Sequence, residues 1–169
     1  IEISSDVGTC TLPGGATVTI NDVDGLQFDY TRTDPGTGTL VLWASARDGD
    51  GAAPDDVLFQ IDLTTGLVDT TPTPGFTGGA TCVRVSGPGL LVDVDDIAVD
   101  PTDGTIYAVN NTAGNIDLLV TVDPVTGAGT IIGNFFNPLL QVEDMEGLSF
   151  GLDGQLYGVT GTSNEFFLV

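Results

Sequence analysis

Pairs of acidic residues, two positions apart, recur along the chain and are its best candidates for chemistry. The pairs are Asp22 with Asp24, Asp93 with Asp95, and Asp144 with Glu146. On a strand, residues two apart point to the same side at about 6.6 Å. One pair alone is too widely spaced for a tight site. Pairs from neighbouring repeats could together supply the oxygen ligands that calcium takes. The alternative is that these are solvated acids at strand entrances.

A second acidic cluster lies in an insertion. Its members are Asp48, Asp50, Asp55 and Asp56. The Asp-Gly-Asp-Gly run resembles the start of a calcium loop, although it lacks the spacing and terminal Glu of an EF-hand. The cluster predicts either a bound Ca2+ or a plain flexible acidic loop.

Several other kinds of chemistry are excluded by composition. The chain has no His, and its three basic residues are all Arg. A Ser-His-Asp or Cys-His arrangement, a Schiff-base Lys, a Walker phosphate loop and a His-based zinc site therefore cannot form. Paired carboxylates could hydrolyse glycosides, but no residue is singled out as the acid. We therefore expect a protein that is not an enzyme.

The formal net charge is −21, with 24 acidic residues. Nucleic-acid binding needs cations that neutralise phosphates, so it is excluded, and so is a polybasic membrane contact. Repulsion at this charge density is relieved by salt or divalent cations. Two interpretations remain, a calcium-loaded extracellular protein and a protein adapted to high salt.

The two cysteines, Cys10 and Cys82, predict one disulfide in an oxidising compartment, with two buried free thiols as the alternative. The protein is then extracellular or on the cell surface. No apolar run reaches the roughly 18 residues of a membrane helix. The first residues do not resemble a signal peptide, so we expect that one was removed or lies upstream. Asn110 begins a glycosylation sequon, or a chance match to one.

The acidic pairs sit within repeats, which predict an all-β fold. Each pair precedes an alternating strand, then a turn, commonly Asp-Gly, and a second strand, as in a hairpin. Third and fourth strands follow, so each copy is a four-stranded antiparallel unit of the β-propeller kind. The predicted copies span residues 21–72, 92–133 and 143–169, and the first copy's fourth strand is placed at Leu67–Asp69.

The third copy ends after its third strand. Residues 1–20 hold a stretch, residues 13–20, that resembles the missing outer strand. We therefore expect this strand to complete the last unit, either in its own chain or in a neighbour.

Two stretches carry a resemblance to a known family. They read DIAVDPTDGTIYAV from residue 96 and LLVTVDPVTGAGTIIG from residue 118. These resemble secreted bacterial and archaeal β-propeller repeats of the NHL/YVTN-like and lactonase- or phytase-like kinds, over roughly residues 13–169. The resemblance implies a binding or surface module, or a calcium-dependent hydrolase in which Glu146 would bind metal. Three copies are fewer than the 4–8 blades of a typical propeller.

An incomplete set of blades leaves an open strand edge, and open edges recruit other chains. A donated strand would give a ring or a filament. We therefore expect a structural or assembly module that self-associates through β-edges and is stabilised by Ca2+. The alternatives are a fragment of a calcium-dependent propeller hydrolase and a carbohydrate-binding propeller.

The aromatic residues fall into two sets. Trp43, Tyr107 and Tyr157 are predicted to pack between blades rather than to form a sugar platform. In the adjacent pairs Phe135-Phe136 and Phe166-Phe167, one member of each should face outward. Exposed aromatics would suit subunit contacts, and burial between two sheets is the alternative.

Overall fold

The computed structural model describes residues 7–48, 56–87, 93–111, 117–137, 140–141, 144–161 and 166–169. Within these ranges the regular structure is β-strand, with one 3-10 turn at Thr77–Gly79. The predicted all-β fold is confirmed. Among the described residues, no helix is long and apolar enough to cross a membrane.

The strands form three main antiparallel sheets. The first sheet has the order β1 (Thr9–Thr11), β2 (Thr17–Thr33), β3 (Leu40–Asp48), β4 (Asp56–Gln60) and β5 (Cys82–Arg84). The second has β6 (Val94–Val99), β7 (Ile106–Asn110), β8 (Leu118–Val122) and β9 (Gly129–Asn134). A small pair, β10 (Phe136–Asn137) and β11 (Leu140–Gln141), precedes the third sheet of β12 (Met145–Phe150), β13 (Leu156–Thr160) and β14 (Phe166–Leu168).

The sheets are arranged as propeller-like blades. The strands β2, β6 and β12 are the inner strands: β6 lies against β2 on one side and against β12 on the other. Each sheet then runs outward through consecutive antiparallel strands. The acidic pairs lie around the starts of β6 and β12 and within β2.

Many of the acids are used in turns. The carboxylate of Asp62 accepts a hydrogen bond from the Thr64 N–H at 2.7 Å, and that of Asp123 accepts one from the Val125 N–H at 2.8 Å. Each turn closes with a left-handed glycine, Gly66 in one and Gly127 in the other. Hydrogen bonds from the backbone lower the pKa of Asp62 and of Asp123. A share of the acidity is therefore structural and belongs to the turns.

Apolar cores lie between neighbouring sheets. Trp43 and Leu58 of the first sheet are fully buried against Ile97 and Ile106 of the second. A second core joins Val109 and its neighbours to the third sheet. Each large side chain buried this fully contributes about 1.5–3 kcal/mol. Tyr107 packs edge-on against Phe150 of the third sheet, so the predicted role in blade packing is confirmed for Trp43 and Tyr107. Tyr157, predicted to do the same, stacks on Phe166 of its own sheet.

The N-terminal segment covers the outer face of the first sheet. Val7, Cys10, Val18 and Ile20 are buried in one core with Phe59 and other residues of β3 and β4. We call residues 7–20, with β1 and the start of β2, the N-terminal hairpin. The predicted disulfide is confirmed: it links Cys10 of this hairpin to Cys82 of β5, with the Cα atoms 5.7 Å apart.

This position corrects the expectation that residues 13–20 complete the last blade within the chain. Thr17–Thr19 pair with β1, and the described part of the third sheet has three strands. The physical reason is that Val18 and Ile20 bury their side chains in the first sheet's core, where the disulfide also anchors the hairpin.

The fourth strand of the first repeat also differs from the expectation. It is β5, which pairs with β4 through Val57–Arg84, Leu58–Val83 and Phe59–Cys82. At the predicted position the structure has a single bridge between Ile61 and Val68. The first repeat therefore extends beyond residue 72, because the disulfide and the buried Val83 hold the later segment against β4.

A buried polar network ties the first two sheets together around Asp29. Its carboxylate accepts hydrogen bonds from the Thr31 N–H at 2.8 Å and from the Trp43 indole N–H at 3.3 Å, and it forms an ion pair with Arg32. Arg32 also donates to the carbonyl oxygen of Gly104 in the second sheet at 3.2 Å. Burial opposes ionisation of Asp29, but the donors from Thr31 and Arg32 outweigh it and lower the pKa of Asp29.

We predict that Asp29→Ala destabilises the fold by about 3 kcal/mol, because it leaves Trp43 and Arg32 without their acceptor. Asp34→Ala is the matched control: Asp34 also accepts from nearby backbone N–H groups, but its turn is exposed. We expect the control to cost about 1 kcal/mol or less. Urea unfolding measures both, and equal effects would contradict the role given to Asp29.

Candidate functional site

Each inner strand carries a β-bulge at the same repeat position. The register shifts between Val23 and Gly25 in β2, between Val94 and Asp96 in β6, and between Met145 and Gly147 in β12. The residues left out of the ladders are Asp24, Asp95 and Glu146. Bulges re-aim side chains near functional sites, and these three place the second acid of each pair outside the regular sheet.

The acids of the first and second sheets gather around Arg47. Arg47, half exposed at the end of β3, forms an ion pair with Asp93. Asp24 and Asp56 also interact electrostatically with this guanidinium. The charge of Arg47 also reaches Asp95, where it offsets part of the rise in the pKa of that carboxyl. We call Asp24, Asp56, Asp93 and Asp95 the acidic cluster.

Burial and mutual repulsion raise the pKa values in this cluster. The pKa of Asp24 rises to about 6, through partial burial and the neighbouring Asp22 and Asp93. The pKa of Asp56 rises to about 6, mainly through burial. The pKa of Asp95 rises to about 7, through burial and then the charges of Asp93, Asp117 and Asp24. These carboxyls therefore titrate between about pH 6 and about pH 7, close to neutral pH.

Two buried carboxylates, of which only Asp56 belongs to the acidic cluster, each hold the start of the next inner strand. Asp56, 1% exposed, accepts a hydrogen bond from the Val94 N–H at 2.8 Å. Asp117, at the same place before the third strand of the second sheet, accepts one from the Met145 N–H at 2.5 Å. Sequence reasoning missed Asp117. The signal for it was the shared repeat position of Asp56, the first residue of β4, and Asp117, the residue directly before β8.

Asp96 links the second sheet to the third. Its carboxylate accepts from the Leu148 N–H at 2.7 Å and from its own neighbour, the Ile97 N–H, at 2.8 Å. Burial raises the pKa of Asp96 to about 6. A Cβ atom at Gly25 would lie 2.8 Å from an Asp96 oxygen. The first copy therefore has glycine where the second has aspartate.

The predicted metal ligands divide into three groups. Asp24, Asp56, Asp93 and Asp95 come together, with Asp22 next to Asp24. Asp144 directly precedes β12 of the third sheet, and Glu146 lies at the bulge of that strand. Asp50 and Asp55 lie outside the described residues, as does the Asp48 side chain. Within the described ranges, no three acidic side chains are arranged to hold a metal ion.

The sequon at Asn110 does not mark a glycan site. Asn110 lies in β7 with its side chain 0% exposed, between β6 and β8. A glycan would need this side chain at the surface. Burial in the sheet therefore corrects the prediction and leaves the chance match to a sequon as the interpretation.

The third sheet presents an exposed apolar face. Val159, Phe166 and Leu168 are 43%, 67% and 64% exposed. Val159 and Phe166 are cross-strand partners, as are Tyr157 and Leu168, so all four side chains share one face. Tyr157 stacks on Phe166, with ring centroids 5.0 Å apart. Phe166 is thus the outward member of its pair. Phe135 is partly buried, and nothing is described for the side chains of Phe136 and Phe167.

The first sheet exposes a smaller apolar patch on its inner strand. Leu26 and Phe28 are 40% and 36% exposed, and Tyr30, 60% exposed, lies with its ring centroid 6.5 Å from that of Phe28. The site therefore has an acidic part at the strand entrances and an apolar part at the two outer blades.

Comparisons with known proteins add one structural likeness. No protein-family model and no curated protein matches the chain. Among solved structures, the PQQ-bound form of an aldose sugar dehydrogenase from Streptomyces coelicolor matches with 23% identity and a TM-score of 0.47. The match covers 88% of this chain and 40% of that one, so the chain spans less than half the length of the dehydrogenase.

Proposed function

We propose that this protein is an extracellular structural module that associates with copies of itself through its terminal blades. The observation that carries the proposal is the exposed apolar face of the third sheet, formed by Tyr157, Val159, Phe166 and Leu168. Exposed aromatic and aliphatic side chains gathered on one face are typical of protein–protein contacts.

The first and third sheets differ in how their faces are covered, and this difference supports the proposal. The first sheet has the disulfide-linked N-terminal hairpin across its outer face, so Phe59 and its neighbours are buried. The third sheet has no such cover among the described residues, and β14 is its edge strand. Repeat proteins need polar or covered ends to stay soluble as single units, so an uncovered end favours a partner.

Mass in solution tests the proposal. We expect light scattering to give a mass of at least two chains for the natural sequence, and 17.3 kDa, one chain, for the double variant Phe166→Asp/Leu168→Asp. Leu152→Asp is the control, because Leu152 is fully exposed in the turn between β12 and β13 and is not one of the four side chains of this face. A single-chain mass for the natural sequence at high protein concentration would remove the proposal.

The extracellular location and the absence of enzymatic activity are part of the same proposal. The formed disulfide between Cys10 and Cys82 supports an oxidising, extracellular setting. The acidic cluster offers raised carboxyl pKa values, but the chain has no His or Lys to work beside them. A binding role accounts for its apolar face and its charge without a reaction.

We also propose that divalent cations, Ca2+ in particular, stabilise the module at neutral pH. One oxygen of Asp56 and one of Asp95 are buried without a hydrogen-bond partner. Both belong to a cluster whose carboxylates repel one another. Because the described carboxylates are not arranged as a finished metal site, binding would have to draw them together or use water ligands.

Thermal melts test this cation dependence. We expect millimolar-range Ca2+ to raise the melting temperature relative to chelator, and more than NaCl does at matched ionic strength. Asp95→Asn should remove much of the difference, because it removes the carboxylate with the most strongly raised pKa. Identical melts in Ca2+ and in matched NaCl would contradict a divalent site and favour a general effect of salt on the net charge.

A further inference from the structure

We infer that two copies of the chain close head to tail into a ring, in which the apolar face of one third sheet packs against the exposed inner strand of the other first sheet. The inference rests on the proposed self-association and specifies its contact. Equivalent positions in the three sheets support it, because some of these residues are buried between successive sheets of the chain and others are exposed.

The outgoing face of a sheet is the face that meets the next sheet along the chain. Registers with the inner strands make Ser45, Val109 and Val159 equivalent, since they pair with Gly25, Asp96 and Gly147. Ser45 and Val109 are 0% exposed because the following sheet covers them, whereas Val159 is 43% exposed. The outgoing face of the third sheet is therefore built like the two faces that carry a neighbour.

The incoming face of a sheet is the face that meets the preceding sheet along the chain. Its exposure shows the same contrast, this time at the first sheet. Leu26, Ile97 and Leu148 hold the same repeat position, directly after the bulge. Ile97 is 1% exposed and Leu148 5%, because each packs on the preceding sheet, while Leu26 is 40% exposed. Leu26 and Phe28 thus form a patch that corresponds to a buried blade contact elsewhere in the chain.

The two surfaces also match in width. The N-terminal hairpin covers the outer part of the incoming face of the first sheet, including Leu42 and Ala44, and leaves the patch on β2 exposed. The third sheet shows three strands in the described residues, so it is narrower than the four-stranded second sheet. In the proposed contact, the narrow third sheet of one copy therefore meets the first sheet of the other copy, whose incoming face is exposed only near β2.

Closure follows from counting sheets. The described residues of each copy form three main sheets besides the small β10–β11 pair, so two copies bring together six main sheets, which lies within the 4–8 blades of closed propellers. Two equal head-to-tail contacts close such a ring, whereas a rotation that does not close gives a filament.

Paired cysteine variants test the contact. One preparation carries Phe28→Cys, a second carries Phe166→Cys, and the two are mixed and treated with a short bis-maleimide reagent. We expect a cross-linked pair in the mixture and little in either preparation alone. Leu152→Cys mixed with Phe166→Cys is the control, which should stay uncross-linked. Melting curves of each variant check that the fold is kept.

The outcomes separate this inference from the proposed function. Cross-linking of Phe166→Cys with itself, and none in the mixture, would show a tail-to-tail pair and overturn the inference while leaving self-association intact. A natural chain that stays single would end both. Native mass spectrometry of the natural protein should show two chains, and a ladder of longer assemblies would overturn closure.

Discussion

Raising the pH from about 5 to about 8 is expected to lower the free energy of unfolding by about 3 kcal/mol, a figure reduced from the full linkage effect of the raised pKa values because solvent screens the partly exposed carboxyls. The loss comes from carboxyls whose pKa is higher in the folded protein than the ordinary 3.8: about 6 for Asp24, Asp56 and Asp96, and about 7 for Asp95. A raised pKa means that the folded state holds the proton more tightly. Stability from these groups is therefore complete below pH 3.8 and is lost as the pH rises through 6 to 7.

Asp29 and the turn acids act in the opposite direction at lower pH. The pKa values of Asp29, Asp62 and Asp123 are lowered in the folded protein, so their stabilising effect is present above pH 3.8 and is lost as the pH falls below it. Stability should therefore be greatest in mildly acidic solution, between the two ranges.

Urea unfolding across this pH series measures the effect, and a shift of about 3 kcal/mol corresponds to roughly 6–12 °C in melting temperature. Asp95→Asn should flatten the slope between about pH 6 and about pH 8, because it removes a titrating group from the cluster. Asp153→Asn is the control, since Asp153 is an exposed turn acid with a lowered pKa. Stability that rises between pH 6 and 8 would contradict the account of the cluster.

Removing the disulfide is expected to have a comparable effect. The double variant Cys10→Ser/Cys82→Ser should lose about 4 kcal/mol, because the bond closes a loop with a sequence separation of 72 residues. The bond also holds the N-terminal hairpin on the first sheet, where Val7, Val18 and Phe59 share a core. We therefore expect the hairpin to loosen in this variant.

Chemical denaturation with and without reductant checks this prediction on the natural chain. As a control, the serine double variant should show no further loss in reductant. A change of less than about 1 kcal/mol would mean that burial of the hairpin residues alone fixes it to the sheet. Dye binding should increase in the variant if the face around Phe59 becomes accessible.

The repeated part of the fold could be predicted from the sequence because each element is local. An acid pair, an alternating strand and a turn that is commonly Asp-Gly recur, and such hairpin patterns depend on residues a few positions apart. The placement of Trp43 and Tyr107 between sheets followed from the same alternation. The disulfide was predictable because the chain offers a single pair of cysteines.

The rest depended on contacts between distant segments. Residues 13–20 have the pattern of an outer strand, but Val18 and Ile20 are buried against the first sheet by tertiary packing and by Cys82, far along the chain. Likewise β5 has three residues and no alternation long enough to identify. Asp117 is buried beneath the start of β12, and only the fold shows that Met145 donates to it.

The acidic cluster shows the same limit. The sequence identified Asp24, Asp93 and Asp95, but placed Asp56 in a calcium loop instead of beneath the second inner strand. The role of Arg47 as the cation among these acids depends on the register of β3, which sequence alone does not fix. The bulges at Asp24 and Asp95 likewise arise from pairing with the second strand of each sheet.

Hydrogen–deuterium exchange on the intact protein tests most directly the claim that the first sheet is covered and the third is open for a partner. We expect the backbone amides of β1 and of the start of β2 to be protected from exchange at every protein concentration. We expect amides of β14 to gain protection as concentration rises and to lose that gain in Phe166→Asp/Leu168→Asp. Exchange in β14 that is independent of concentration, or a hairpin that exchanges as fast as β14, would contradict this claim.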